Sequence, residues 1–336
     1  MFPTQKVTMP KRTAATVLTL VAVALGLAAC GSSSGGGKQL ALVAYSTPKS
    51  AYEALVPGFQ ATAEGKGVTF TQSYGGSGEQ SRAVANGQHA DVVNFSLEPD
   101  VERLVKANLV SPTWNQNATH GFVTNSVVVI MVRKGNPKHI TGWSDLVKQG
   151  AQVVTPNPFT SGGARWNIMA AYGAQLKEGK TQAQAQAYLT QLFHNVVSQD
   201  SSARNSLQTF LAGRGDALLG YENEAISAQK KGEPIEYIIP SDTILIQSPV
   251  AVVGSSKSAK AFVNYLVSPA AQAIWASKGY RPVISGVAGS SKFPKPPGLF
   301  TIDSIGGWKT VTKQFFEAET GIVTKIEQSL GVSTAK

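Results

Sequence analysis

The chain has 336 residues, 42% of them hydrophobic and 15% charged, with a formal net charge of +10 at pH 7. This composition excludes a mainly disordered chain, and the length can bury a sizeable core in one large domain or two. The basic residues are scattered rather than gathered in a stripe with aromatics, which argues against a nucleic-acid partner. The first element in chain order is a leader. Lys6, Lys11 and Arg12 precede an apolar run over 14–27 that ends in Leu27-Ala28-Ala29-Cys30. A basic head, a short apolar stretch and small residues before a cut describe a secretory signal over residues 1–29, too short for a comfortable membrane span. Its removal leaves a net charge of +7, a mild excess that suits an anionic partner or surface.

The LAAC at residues 27–30 resembles the lipobox of bacterial lipoproteins, in which the cysteine becomes the lipid-bearing N-terminus. Cys30 is the only cysteine, so it has no intrachain disulfide partner. The GSSSGGG that follows then reads as flexible, and residues 30–38 are expected to be a lipidated tether. Multiple acyl chains, as lipoproteins carry, would hold it firmly where one would not. The expected location is the outer face of the cytoplasmic membrane.

Beyond residue 40, apolar runs alternate with helical patterns. Strands are expected at 40–45, 68–73, 91–95, 127–132, 153–155, 217–221, 235–239 and 250–253. Helices are expected after Ser46-Thr47-Pro48, with a hydroxyl cap and proline in the first turn, and from Glu79. Others are expected at 98–107, 164–178, 181–195, 203–212, from Glu222, at 257–277 and at about 308–330. Alternation of this kind predicts an α/β fold with mainly parallel sheets.

A small-residue or hydroxyl turn recurs between a strand and the next helix. It is present at Ser46-Thr47, at Gly75 to Gly78, at Ser161-Gly162-Gly163 and at Ser201-Ser202-Ala203. The third lies in TPNPFTSGGARWN, residues 155–167. Two readings fit that stretch: an N-cap serine followed by glycines that give slack, or an anion site. The second reading rests on bare N–H groups and partial positive charge at a helix start, which glycine lets a ligand approach. Ligands of open α/β sheets bind at the carboxyl ends of strands, so four such turns converging on one place favour the anion site.

Catalytic motifs are missing. Neither glycine cluster is a phosphate-binding loop or a dinucleotide fingerprint. His89, His120, His139 and His194 lack metal-ligand spacing, so no metal or other cofactor is expected. Ser161 is in no nucleophile elbow, and Glu222 and Glu224 are too close for a glycosidase pair. The reading is a binding protein rather than an enzyme.

Six segments carry a specific resemblance: SYGGSGEQSRAVANGQHADVV, VRKGNPKHITGWSDL, TPNPFTSGGARWN, DSSARNSLQTF, GDALLGYENEA and LFTIDSIGGW. In this order, over about 40–321, they resemble the periplasmic sulfate- and thiosulfate-binding proteins of ABC importers. The resemblance implies a two-lobed periplasmic-binding-protein fold of type II, with the ligand clamped between lobes. The lobes would comprise residues 39–122 with 246–300, and 123–245, with 301–336 as a C-terminal helical segment. Carried over by position, the ligand donors are the backbone N–H groups of Ser46, Ser77, Gly162, Gly163 and Ala203, the Ser161 hydroxyl, and Tyr221. The chain departs from the family twice: Ser46 replaces a common aspartate, and Tyr221 replaces a tryptophan. A phenol can accept as well as donate, so Tyr221 is expected to relax the rejection of protonated phosphate or favour thiosulfate.

Arg165, Arg204 and Asp91 are expected to orient the binding turns from behind, or else to be ordinary ion-paired or solvated side chains. The expected partners are sulfate or thiosulfate, membrane-embedded permease subunits and, through the anchor, the membrane, with the protein a monomer. The rivals are the same fold tuned to molybdate or phosphate, an exported hydrolase using Ser161, and an adhesive surface lipoprotein.

Overall fold

A computed structural model describes residues 39–334. The leader, Cys30 and the rest of the tether lie outside the described residues. The chain begins with β1 (Gln39–Tyr45), α1 (Lys49–Gln60), β2 (Thr69–Gly75), α2 (Ser77–Ala85), β3 (Val92–Asn94) and α3 (Glu98–Lys106). The long β4 (Phe122–Arg133) follows, then β5 (Val153–Pro156), α4 (Gly162–Lys177), α5 (Gln182–His194), β6 (Val196–Asp200), α6 (Ala203–Leu211), β7 (Ala217–Tyr221) and α7 (Glu222–Lys230). The rest comprises β8 (Ile235–Ile238), β9 (Leu245–Val252), α8 (Lys257–Leu266), α9 (Pro269–Ser277), α10 (Gly307–Phe316) and α11 (Ile322–Ser329). No helix among them is long and apolar enough to cross a membrane.

The strands form one mixed sheet in the order β2-β1-β3-β9-β4-β7-β5-β6, with β8 also on β4. Strands β2, β1 and β3 run parallel at one end, and β7, β5 and β6 run parallel at the other. The antiparallel pairings all involve β4 or β9. These two join the ends. Phe122 to Val127 of β4 pairs with β9, while Val128 to Val132 pairs with β7. β9 passes from β4 at Leu245 to Pro249 onto β3 at Val250 to Val252. One consequence matters for function. The carboxyl ends of two three-stranded parallel sets, far apart in sequence, are brought toward a common region.

Each parallel set is covered by its own helices, and the apolar runs supply separate cores. Leu42, Tyr52, Phe59, Phe262 and Trp275 pack together beside β1. On the other side Ile130, Trp166, Met169, Leu189 and Phe315 share one cluster. Helix α4 is buried from Gly162 through Gln175, which is why it reads as apolar on all faces. Helices α10 and α11 belong to this second core, with Trp308 edge-on to Trp166 at 4.7 Å between ring centres.

The structure departs from the sequence reading at identifiable places. The helix expected over 257–277 is two, because Ser268 caps a new start and Pro269 cannot continue a helix. The helix expected near 308–330 is also two, with a new start after Gly321. Strand β6, half-buried throughout, was not foreseen. Helix α1 has no hydroxyl cap; Pro48 occupies that position.

A buried acid ties the last helix to the sheet edge. Glu327 of α11 is wholly buried, and its Oε2 accepts from Gln199 Nε2 of β6 at 2.8 Å. Its Oε1 has no hydrogen-bond partner among the described residues. Burial raises the carboxyl to about 7. A raised folded-state value means that the stabilisation is complete below the ordinary carboxylate range and drains away as pH rises through about 7. Glu327→Gln, the same shape without the charge, is therefore expected to exceed the native chain in stability by about 1–2 kcal/mol near pH 8.5 and by little near pH 4. Urea melts at the two pH values check this, and a gain independent of pH would contradict it.

Candidate functional site

Six strands end around one small chamber. Its wall includes Tyr45 at the end of β1, Ser46 and Thr47 just beyond it, and Ser77 after β2. Ser96 follows β3, Ser161 and Gly163 follow β5, Ala203 follows β6, and Tyr221 ends β7. Every lining side chain is neutral. Helices α2, α4 and α6 begin at Ser77, Gly162 and Ala203, so their first N–H groups have no intrahelical acceptor. Among the described residues, no other acceptor takes the N–H of Ser46, Ser77, Gly162, Gly163 or Ala203. Three helix starts, each carrying partial positive charge, border the chamber.

Ser161 separates the two readings of its stretch. Serines and threonines at other helix starts cap them: Thr181 accepts from Gln184 N at 3.2 Å, and Ser202, Ser256 and Ser268 each accept a backbone N–H at 3.3 Å. Ser161 stands at the same position on α4 and caps nothing. Its hydroxyl is left for the chamber.

The donors are held from behind by a buried relay. Ser96 N donates to Ser77 Oγ at 2.9 Å, and Ser77 Oγ donates to Asp100 Oδ2 at 2.6 Å. The Ser77 hydroxyl is therefore occupied and only its N–H faces the chamber. Trp166 Nε1 reaches from α4 to Ser96 O at 2.8 Å, and Thr160 O accepts from Gly78 N at 3.1 Å. Ser96 Oγ and Tyr221 Oη are 2.6 Å apart. Burial, with Tyr45 nearby, pushes the Tyr221 phenol well above its ordinary value, so it keeps its proton and can donate it.

The sequence-predicted residues divide accordingly. Ser46, Ser77, Ser161, Gly163, Ala203 and Tyr221 line the chamber together. Gly162 stands between its wall and a neighbouring cavity, facing Ser96 and Leu97. Arg204 Nε donates to Ser46 O at 3.3 Å, and Arg165 Nε donates to Pro158 O at 2.9 Å, so both hold turns that shape the chamber. Asp91 is not brought there. Its Oδ2 accepts from Ala41 N at 2.8 Å, five residues ahead of Ser46 along β1, about 16 Å of extended chain away.

Asp100 has the supporting position instead. Ser96 and Asp100 were missed. Ser96 follows the same strand–hydroxyl–helix pattern that marked the other turns, so its signal was present; Asp100 looks like any first-turn acid.

A chamber of bare amides at the carboxyl ends of two strand sets is the arrangement of an α/β solute-binding protein. The chain belongs to the family described as bacterial extracellular solute-binding protein, matched over residues 40–281. It is 44% identical to the sulfate-binding protein of Synechococcus elongatus over 330 residues, 92% of this chain and 94% of that one. The thiosulfate-binding protein of Pseudomonas aeruginosa is 33% identical over 311 residues, 88% of this chain and 93% of the relative. The solved sulfate-binding protein SubI of Mycobacterium tuberculosis superposes with a TM-score of 0.81 at 42% identity, covering 83% of this chain and all of that one. These relatives are binding proteins, and the role of this chain is binding, not catalysis.

Proposed function

We propose that the chamber holds one sulfate ion, grasped by the N–H groups of Ser46, Ser77, Gly162, Gly163 and Ala203, by the Ser161 hydroxyl and by Tyr221. One observation carries this reading: the unspent Ser161 hydroxyl among N–H groups that have no protein acceptor. Sulfate at neutral pH only accepts hydrogen bonds, which suits a wall of donors. Ser96 donating to Tyr221 Oη would leave the phenol proton for the ion. Hydrogen bonds to a charged group contribute about 1.5–3 kcal/mol each, so seven at the lower end give about 10 kcal/mol before ordering and dehydration are subtracted. Micromolar affinity needs about 8 kcal/mol, and a wall without cations leaves the ion releasable.

Release would be to an ABC importer. The chain would form two lobes, 39–122 with 246–300 and 123–245, hinging where β4 and β9 pass from one parallel set to the other. The C-terminal segment 301–336 would ride on the second lobe. The protein would be exported by the signal over 1–29 and held by lipidated Cys30. The sulfate-binding relatives support the ligand, and the thiosulfate-binding relative keeps thiosulfate as the second candidate.

Calorimetry tests the reading. Sulfate is expected to bind one per chain, and Ser161→Ala to weaken it by about 10- to 100-fold, the worth of one hydrogen bond to a charged guest. The same variant should unfold at the same urea concentration, because that hydroxyl caps nothing. Unchanged affinity would remove Ser161 from the donor set. Preference for molybdate or phosphate in competition would overturn the sulfate assignment.

A further inference from the structure

On the other side of the Ser161–Gly162 turn lies a second cavity, similar in size to the first. Its character is opposite. Three guanidinium groups face it, Arg82 of α2, Arg103 of α3 and Arg165 of α4, against the single carboxylate of Asp100. The excess is two positive charges in a space walled by α2, α3, α4 and the 158–161 turn.

Arg165 is more than nine-tenths buried. Its Nε donates to Pro158 O, and its guanidinium stacks 4.6 Å from the ring centre of Phe316. Its two Nη groups have no acceptor among the described residues. Arg82 spends Nη2 on Phe159 O at 3.1 Å, while its Nη1 lies beside Gly78. Arg103 Nη1 serves Ser81 Oγ at 2.6 Å and Asp100 Oδ1 at 2.9 Å. A guanidinium has five N–H donors, and those of Arg165 beyond Nε are left for whatever enters the cavity. Burial first, and Arg103 and Arg82 after it, lower Arg165 to about 10 against the opposing pull of Asp100. The cluster is short of negative charge and of acceptors.

We propose that this second cavity binds a tetrahedral oxyanion that still carries a proton, of the hydrogen phosphate class. Guanidinium forks match pairs of oxyanion oxygens. The Asp100 carboxylate selects the protonated ion, because its Oδ1 can accept an O–H from hydrogen phosphate. Sulfate would set lone pairs against lone pairs there. Two neighbouring cavities would then sort the two commonest tetrahedral anions by a single proton.

The test is calorimetry of the full chain, with sulfate added to saturation and inorganic phosphate titrated afterwards. Only the blocking step rests on the sulfate reading. Sulfate is therefore titrated first; a missing sulfate signal sinks that reading alone, and phosphate is then titrated into the free protein. One equivalent of phosphate is expected to bind beside sulfate, at least about 10-fold more weakly in Arg82→Gln and in Arg103→Gln. Either variant suffices if the other fails to fold. The proposal is overturned if phosphate gives no signal up to about 10 mM, displaces sulfate one for one, or binds both variants as well as the native chain. Entry of a second sulfate in place of phosphate overturns it as well.

Discussion

Gly163→Ala is expected to leave the protein folded and weaken sulfate by at least about 100-fold, near 2.7 kcal/mol. A Cβ built on Gly163 meets Ser161 Oγ at 3.4 Å, Ala203 Cβ at 3.6 Å and Tyr221 Cε1 at 3.6 Å. Those are ordinary contacts, so the free protein accepts the methyl, and alanine suits a helix better than glycine. All three neighbours line the chamber, however, so the methyl occupies the space meant for the ion. Gly162→Ala should fail differently. Its Cβ would stand 2.8 Å from Ser96 Cβ and 2.9 Å from Leu97 Cγ, which forces the wall itself to move. Urea melts and sulfate titrations on both variants separate the two failures. Native affinity in Gly163→Ala would place the ion elsewhere.

Arg281→Ala is expected to destabilise the fold by about 3–5 kcal/mol, the cost of leaving a buried charge unpaired. Arg281 Nε and Nη2 donate to the two oxygens of Glu222 at 2.7 and 2.9 Å, a two-pronged pair with side chains 11% and 2% exposed. The Arg281 backbone is bonded in both directions to Asn125 of β4, at 2.8 and 2.9 Å. Glu222 opens α7 directly after Tyr221, so the pair fixes the phenol's strand end to the crossing strand. Burial raises the Glu222 carboxyl even with Arg281 opposing, so the acid depends on its partner. Replacing both partners with apolar residues, Glu222→Leu with Arg281→Met, should recover most of the loss. Urea denaturation decides: a single variant within about 1 kcal/mol of the native chain would show the pair to be dispensable.

Much of the site was legible because its ingredients are local. A strand ending, a hydroxyl or glycine, then a helix start can be read within ten residues, as at Tyr45–Ser46 and Pro156–Gly163. The same rule applied to Phe95–Ser96 would have added Ser96. Asp91 was misjudged, because it opens the strand expected at 91–95 and the carboxyl-end rule already puts it away from the chamber, where its bond to Ala41 N holds the amino end of the set.

By itself the sequence determined the alternation of strands and helices and the small-residue and hydroxyl turns between them, because periodicity and backbone chemistry are properties of neighbouring residues. Only the tertiary structure decided that the turns meet. Their meeting depends on β4 and β9 passing from one parallel set to the other, a long-range pairing. It also decided that Ser161 leaves its helix uncapped and that Asp100 stands behind Ser77. Whether a hydroxyl caps, donates outward or is held by an acid depends on what distant chain is packed against it, and local sequence carries no record of that.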